Sequence, residues 1–107
     1  MVLSDLEFEG RAVVVSGAAR GQGLSHALEF ARRGANLVLL DAPAPGLDTI
    51  PYPLATAEDL REAEARVRDA GPGRVLAYAV DVRDSEGLRA AVDEAAGELG
   101  GVDVAVA

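Results

Sequence analysis

The sequence predicts an α/β fold, a parallel sheet with helices on both faces. Short apolar runs of strand length alternate with segments whose apolar residues recur at helical spacing, and the first run ends in a cluster of glycines. Composition agrees: 107 residues support one domain, and a chain 50 % apolar but only 4 % aromatic must build its core from Val, Leu and Ala.

The first element, Arg11 to Ser16, is a β-branched run that reads as a buried parallel strand. Leu24, Ala27, Leu28 and Ala31 then give a helical stripe, with Gly34 as its stop. Ala35 to Leu40 is a second strand closing on Asp41, so strand, helix and strand form a βαβ unit. Between Ala42 and Ala55 stand Pro43, Pro45, Pro51 and Pro53, which deny backbone donors and predict a loop. Thr56 is placed to cap a second helix, with Asp59 at the capping-box position and Leu60, Ala63, Val67 and Ala70 inward up to Gly71. Its REAEARVRD stretch reads as a solvated face with pairs four residues apart. Arg74 to Val80 is a third strand closing on Asp81. Asp84 or Ser85 caps a third helix with Leu88, Ala91, Val92, Ala95 and Leu99 inward, ended by Gly100 and Gly101. Val102 to Ala107 begins a fourth strand. Right-handed crossovers give the strand order 3-2-1-4.

A formal net charge of −8 repels phosphate backbones and anionic lipid, so neither nucleic acid nor membrane is an expected partner. Without cysteine there is no disulfide framework or thiolate site, and His26 alone cannot assemble a metal site. The amino terminus lacks a basic start followed by an apolar run, so no signal peptide is predicted and the cytoplasm is the expected compartment. All ten basic residues are Arg, which leaves any lysine-dependent step outside this chain.

The turn after the first strand reads Ser16-Gly17-Ala18-Ala19-Arg20-Gly21-Gln22-Gly23-Leu24, a G-x-x-x-G-x-G arrangement where a helix begins. Glycine there permits positive φ and close approach of a pyrophosphate, and the helix amides and dipole favour an anion. Glycine-rich turns also serve plain chain reversal. The context argues for more, because Asp41 closes the next strand at nearly the spacing expected of a carboxylate that binds ribose hydroxyls. The pattern is that of a Rossmann-type dinucleotide site. A 2′-phosphate about 4 Å from that carboxylate would be repelled by about 4 kcal/mol at an effective dielectric near 20, which favours NAD over NADP, although Arg20 in the glycine turn could offset the repulsion. Asp81 lies at the same carboxyl edge, with an adenine contact as its functional reading and a turn or cap as its plain one. His26, Tyr52 and Tyr78 read as solvated or packing residues.

These residues resemble the short-chain dehydrogenase/reductase family over the whole chain. SGAARGQG is similar to its cofactor motif, Asp81-Val82 to its aspartate-valine pair and VDVAVA to its fourth strand. GAARGQGLSHA, Asp41 and the loop ending YPLATAEDL resemble the carveol-dehydrogenase-like, mycofactocin-associated branch. The resemblance implies that Gly17, Arg20, Gln22, Gly23 and Leu24 line the pyrophosphate and nicotinamide side, with Gly21 in the same turn. It further implies Asp41 at the ribose, and Asp81 with Val82 at the adenine. Ser16 stands where the family more often has threonine. The family's catalytic serine and its tyrosine-x-x-x-lysine pair have no counterpart in residues 1–107. Residues 1–107 are therefore expected to be the dinucleotide-binding half of a larger dehydrogenase, inactive alone.

The intact enzyme is expected to interconvert a small-molecule secondary alcohol and a ketone with NAD, as a homo-oligomer. The alternatives are a non-catalytic NAD-binding module and an α/β methyltransferase, whose tighter G-x-G-x-G turn Ser16 to Gly23 does not reproduce. A phosphate-loop NTPase fails for want of lysine.

Overall fold

Side chains on successive strand residues point to opposite faces, so a run such as AVVVS or NLVLLD can lie flat only if both faces are covered. The computed structural model describes residues 7–42, 57–81 and 83–106. Its elements are β1 (Ala12–Ser16), α1 (Gly21–Arg32), β2 (Asn36–Asp41), α2 (Ala57–Ala70), β3 (Val75–Ala79), α3 (Ser85–Leu99) and β4 (Val104–Val106). The strands form one sheet of order β3-β2-β1-β4 with every pairing parallel, as the alternation in the sequence predicts.

One face of the sheet presents Val13, Val15, Leu37, Leu39 and Val75 to Ala27 and Ala31 of α1 and Leu60 and Val67 of α2. The other presents Val14, Val38 and Leu40 to Ala91 and Ala95 of α3. Val13, Val15, Leu37 and Leu39 are fully shielded from solvent, each contributing about 1.5–3 kcal/mol relative to exposure. Small helix residues let backbones approach: Ala27 and Ala95 are fully buried. The turn after α2 goes further, because a Cβ on Gly71 would stand 1.8 Å from the Ala31 carbonyl oxygen, and one on Gly73 would stand 2.1 Å from that of Ala35. The route from α2 to β3 is therefore seated directly on the route from α1 to β2.

The strand boundaries differ slightly from the sequence expectation. Arg11, Ala35 and Arg74 lie just outside the ladders, and β4 starts at Val104 rather than Val102. At that point Ala12 donates its amide to Asp103 Oδ2 at 2.9 Å and its carbonyl accepts from the Asp103 amide at 2.9 Å, so a side-chain and a backbone bond together lead this segment into the ladder. Of the two candidate caps for α3, Asp84 is the one used: its carboxylate accepts from Gly87 N at 3.0 Å. The expected cap Thr56 and the proline-rich loop fall outside the described residues, apart from Ala42. On α2, Arg68 pairs with Glu64 at 2.7 Å, four residues away, and also donates to the Val75 carbonyl at 3.0 Å, covering part of the edge of β3. Tyr78 packs between β3 and α3, where burial and then Glu94 and Glu98 push its phenol above the usual tyrosine range. Before β1, Phe8 stands edge-on to Phe30 with centroids 5.0 Å apart, and Arg33 pairs with Glu7 and Glu29.

Candidate dinucleotide site

The site begins where β1 ends. Gly17 and Gly21 take φ of +64° and +60°, a region that costs an ordinary L-residue dearly, and a Cβ on either would meet nothing within 4 Å. The first and second glycines thus fix the turn and leave open space beside it. Gly23 does something different: a Cβ there would stand 2.0 Å from the Gly17 carbonyl oxygen and 3.1 Å from that of Ser16. Its missing side chain is what lets α1 start against the tip of β1.

Arg20 precedes α1 in an extended conformation, and its side chain makes no capping bond. The first turn carries no acidic residue, so the amides of Gly21, Gln22 and Gly23 have no side-chain acceptor among the described residues. A helix start of this kind favours an anion through bare amides and the helix dipole. Arg20, Gly21 and Gln22 are exposed, and Leu24 is half-buried against the core.

Asp41, 22 residues beyond Ala19 in the chain, is brought to the same turn. Ala18 donates its amide to the Leu40 carbonyl at 3.1 Å, and Ala19 donates to Asp41 Oδ2 at 2.9 Å. Parallel pairing of β1 with β2 is the reason, since Ser16 lies beside Leu40 and the chain leaving β1 crosses the end of β2. Oδ1 of Asp41 accepts no hydrogen bond among the described residues. The site therefore couples bare helix amides, room beside two glycines and a half-engaged carboxylate. Those features suit a pyrophosphate and a diol, and a dinucleotide carries both groups.

Asp81 stands one strand further along. Val80 donates its amide to the Asp41 carbonyl at 3.0 Å, and Asp81 follows at the carboxyl edge of the sheet, on the rim of an open cleft of about 420 Å³ between β3 and α3. Its carboxylate is engaged by its neighbour: the Arg83 amide donates to Oδ1 at 2.9 Å, Nε reaches both oxygens at 3.1 Å and Nη2 reaches Oδ2 at 2.7 Å. The Arg83 guanidinium and amide hold the carboxyl down to about 2. The turn reading of Asp81 is thus realised in the fold. Sequence reasoning missed its partner, although an arginine two residues after an acid at a strand end was the available signal. Val82 lies outside the described residues.

His26 is on the exposed side of α1. Among the described residues there is no group of three or more His, Cys, Asp or Glu placed to hold a metal ion, and no helix long and apolar enough to cross a membrane.

Comparison with known proteins adds ancestry to this geometry. The profile of the short chain dehydrogenase family matches residues 11–107. The chain is 44 % identical over 96 residues to a (-)-trans-carveol dehydrogenase of Rhodococcus erythropolis, covering 90 % of this chain and 34 % of that protein. It is 46 % identical over 98 residues to an uncharacterized NAD-dependent oxidoreductase of Mycobacterium tuberculosis, covering 92 % and 35 %. Among solved structures, a carveol dehydrogenase of Mycobacterium avium in complex with NAD superposes with a TM-score of 0.87 at 42 % identity, over 92 % of this chain and 35 % of that one. A short chain dehydrogenase of Mycobacterium paratuberculosis bound to NAD gives 0.88 at 39 %, over 94 % and 37 %. The chain spans about a third of the length of these relatives.

Proposed function

We propose, from the premise that this chain belongs to the short chain dehydrogenase family, that it is the NAD-binding portion of an enzyme interconverting a secondary alcohol and a ketone. One observation carries the cofactor reading: Ala19 N–H holds Asp41 Oδ2 at 2.9 Å, which sets a carboxylate beside an uncapped helix start. When bound, the nicotinamide ring accepts or returns the hydride.

The chain's own residues bind and orient. The amides of Gly21, Gln22 and Gly23 receive the pyrophosphate, whose charge the helix dipole favours. Asp41 Oδ1 accepts from the adenosine ribose hydroxyls while Oδ2 stays with Ala19, so the diol meets a carboxylate already fixed in orientation. A phosphate on that ribose would face the carboxylate instead, which is the basis for NAD over NADP. Asp81 lies at the adenine end. Residues 1–107 contain no lysine, and proton transfer to or from the substrate oxygen, with the choice of substrate, belongs to residues outside them. This division is supported by the share of each relative that the chain covers.

Isothermal titration of the 107-residue chain with NAD and with NADP tests the reading. Saturable NAD binding, with NADP weaker by tenfold or more, is expected. Equal affinity for the two, or no binding of either by a folded chain, would refute it.

A further inference from the structure

The two carboxylates at the sheet edge are not equally ready for a ligand. Asp41 gives one oxygen to Ala19 and keeps Oδ1 open. A carboxylate offers about four lone-pair sites, and Asp81 has them all addressed by Arg83: the amide and Nε on Oδ1, Nε and Nη2 on Oδ2. Building on the dinucleotide reading above, we infer that Arg83 is a specificity-determining latch, whose guanidinium competes with the exocyclic amino group of adenine for the Asp81 carboxylate.

The latch is built to release. Its partners are solvent-facing, with 64 % of the Arg83 side chain and 35 % of that of Asp81 exposed, and such a pair holds with an equilibrium factor of only about one to five. Release leaves the turn standing, because the Arg83 amide keeps its bond to Oδ1 and Asp84 N donates to the Asp81 carbonyl at 2.9 Å. What swings free is the guanidinium alone, vacating Oδ2 and half of Oδ1. A freed carboxylate accepts an amino hydrogen from adenine and repels the carbonyl oxygen that hypoxanthine carries at the same position. With the latch closed, the guanidinium blocks the first contact and can itself donate to the hypoxanthine oxygen. Arg83 therefore blunts discrimination between purines at this end of the ligand and leaves recognition to Asp41.

The test is a pair of titrations on the 107-residue chain, with NAD and with nicotinamide hypoxanthine dinucleotide, for the wild type, Arg83→Ala, Arg83→Gln and Asp81→Ala. The readout is the ratio of the two dissociation constants, which a merely structural change would move together and leave unaltered. Removing the guanidinium is expected to raise the preference for the adenine ligand by about two- to tenfold, the worth of one hydrogen bond. Arg83→Gln, which keeps a polar side chain but loses the charge and the reach of Nη2, should move the ratio the same way. Asp81→Ala should bring the ratio to unity or below, since the freed guanidinium still donates to the hypoxanthine oxygen, and Arg83→Ala added to it should bring it to unity. An unaltered or lowered ratio in both Arg83 variants, with NAD still bound, would overturn the latch and leave the dinucleotide reading intact. Failure of every folded variant and of the wild type to bind either ligand would overturn both.

Discussion

Replacing Gly23 by alanine sets two effects of opposite sign against each other, and the structure decides which prevails. In a helix the change gains about 1 kcal/mol, because alanine loses less conformational freedom than glycine. At position 23, however, the new methyl would stand 2.0 Å from the Gly17 carbonyl oxygen and 2.6 Å from its carbonyl carbon. These are backbone atoms that cannot rotate aside, and ordinary contact requires about 3.5 Å. The start of α1 must then retreat from β1 by more than an ångström, straining the Ala19–Asp41 bond and opening the packing of Leu24 and Ala27. Overpacking of this kind costs about 1–3 kcal/mol, and a charge-assisted bond about 1.5–3 more if it is lost. With that bond lost, a net loss of about 1.5–5 kcal/mol follows, or a midpoint about 7–22 °C lower for a domain of this size. Gly97→Ala is the matched control, since it lies within α3 with nothing within 4 Å of the built Cβ. It should raise the midpoint by a few degrees. Circular dichroism melts of the two variants are the assay. If Gly23→Ala melts at or above the wild type, the idea that this glycine exists for close helix–strand approach is wrong.

Asp41→Ala should relax the preference for NAD over NADP in a binding titration and also lower the melting midpoint without ligand, because Ala19 N–H loses its acceptor. Asp84→Ala removes the cap on Gly87 N and should cost about 1 kcal/mol in urea unfolding, whereas Asp84→Asn should cost less. The Asp81 carboxyl should titrate below its ordinary 3.8 by carbon-detected NMR, between about 2 for the closed latch and 3.8 for the open one, and move toward 3.8 in Arg83→Ala. Since its folded pKa is depressed, the pair stabilises the fold above about pH 4 and its contribution vanishes as pH falls through 2. A wild-type midpoint near 4 would contradict the bidentate geometry.

The fold was almost wholly legible in the residue pattern, because alternating strand-length and helix-length apolar runs leave few parallel arrangements open. Boundaries differ by a residue or two where a residue such as Asp103 bonds the neighbouring strand through side chain and backbone just outside the regular ladder. At the candidate site, the glycine turn and Asp41 could be read as partners from motif spacing, but not the bond that joins them, since a hydrogen bond between Ala19 and Asp41 depends on how β1 and β2 are registered. The same limit applied to Gly71 and Gly73. Gly71 reads as ordinary helix punctuation, and its seating on Ala31, like that of Gly73 on Ala35, follows from packing between elements that the linear order does not reveal. The Asp81–Arg83 pair stands two residues apart in the sequence, but only the turn that folds the Arg83 amide and guanidinium back onto the carboxylate makes them partners.

The bond between Ala19 and Asp41 makes position 41 answerable to two masters. A redesign toward a phosphorylated ribose that installs an apolar or basic residue there would in the same stroke remove the acceptor of the Ala19 amide. Retargeting the site is thus a two-move problem: a second substitution must supply a new acceptor to the orphaned amide before the altered preference can be expressed in a sound scaffold. Libraries that vary position 41 alone should return mostly weakened proteins. Those that vary it together with the turn should contain the rare successes.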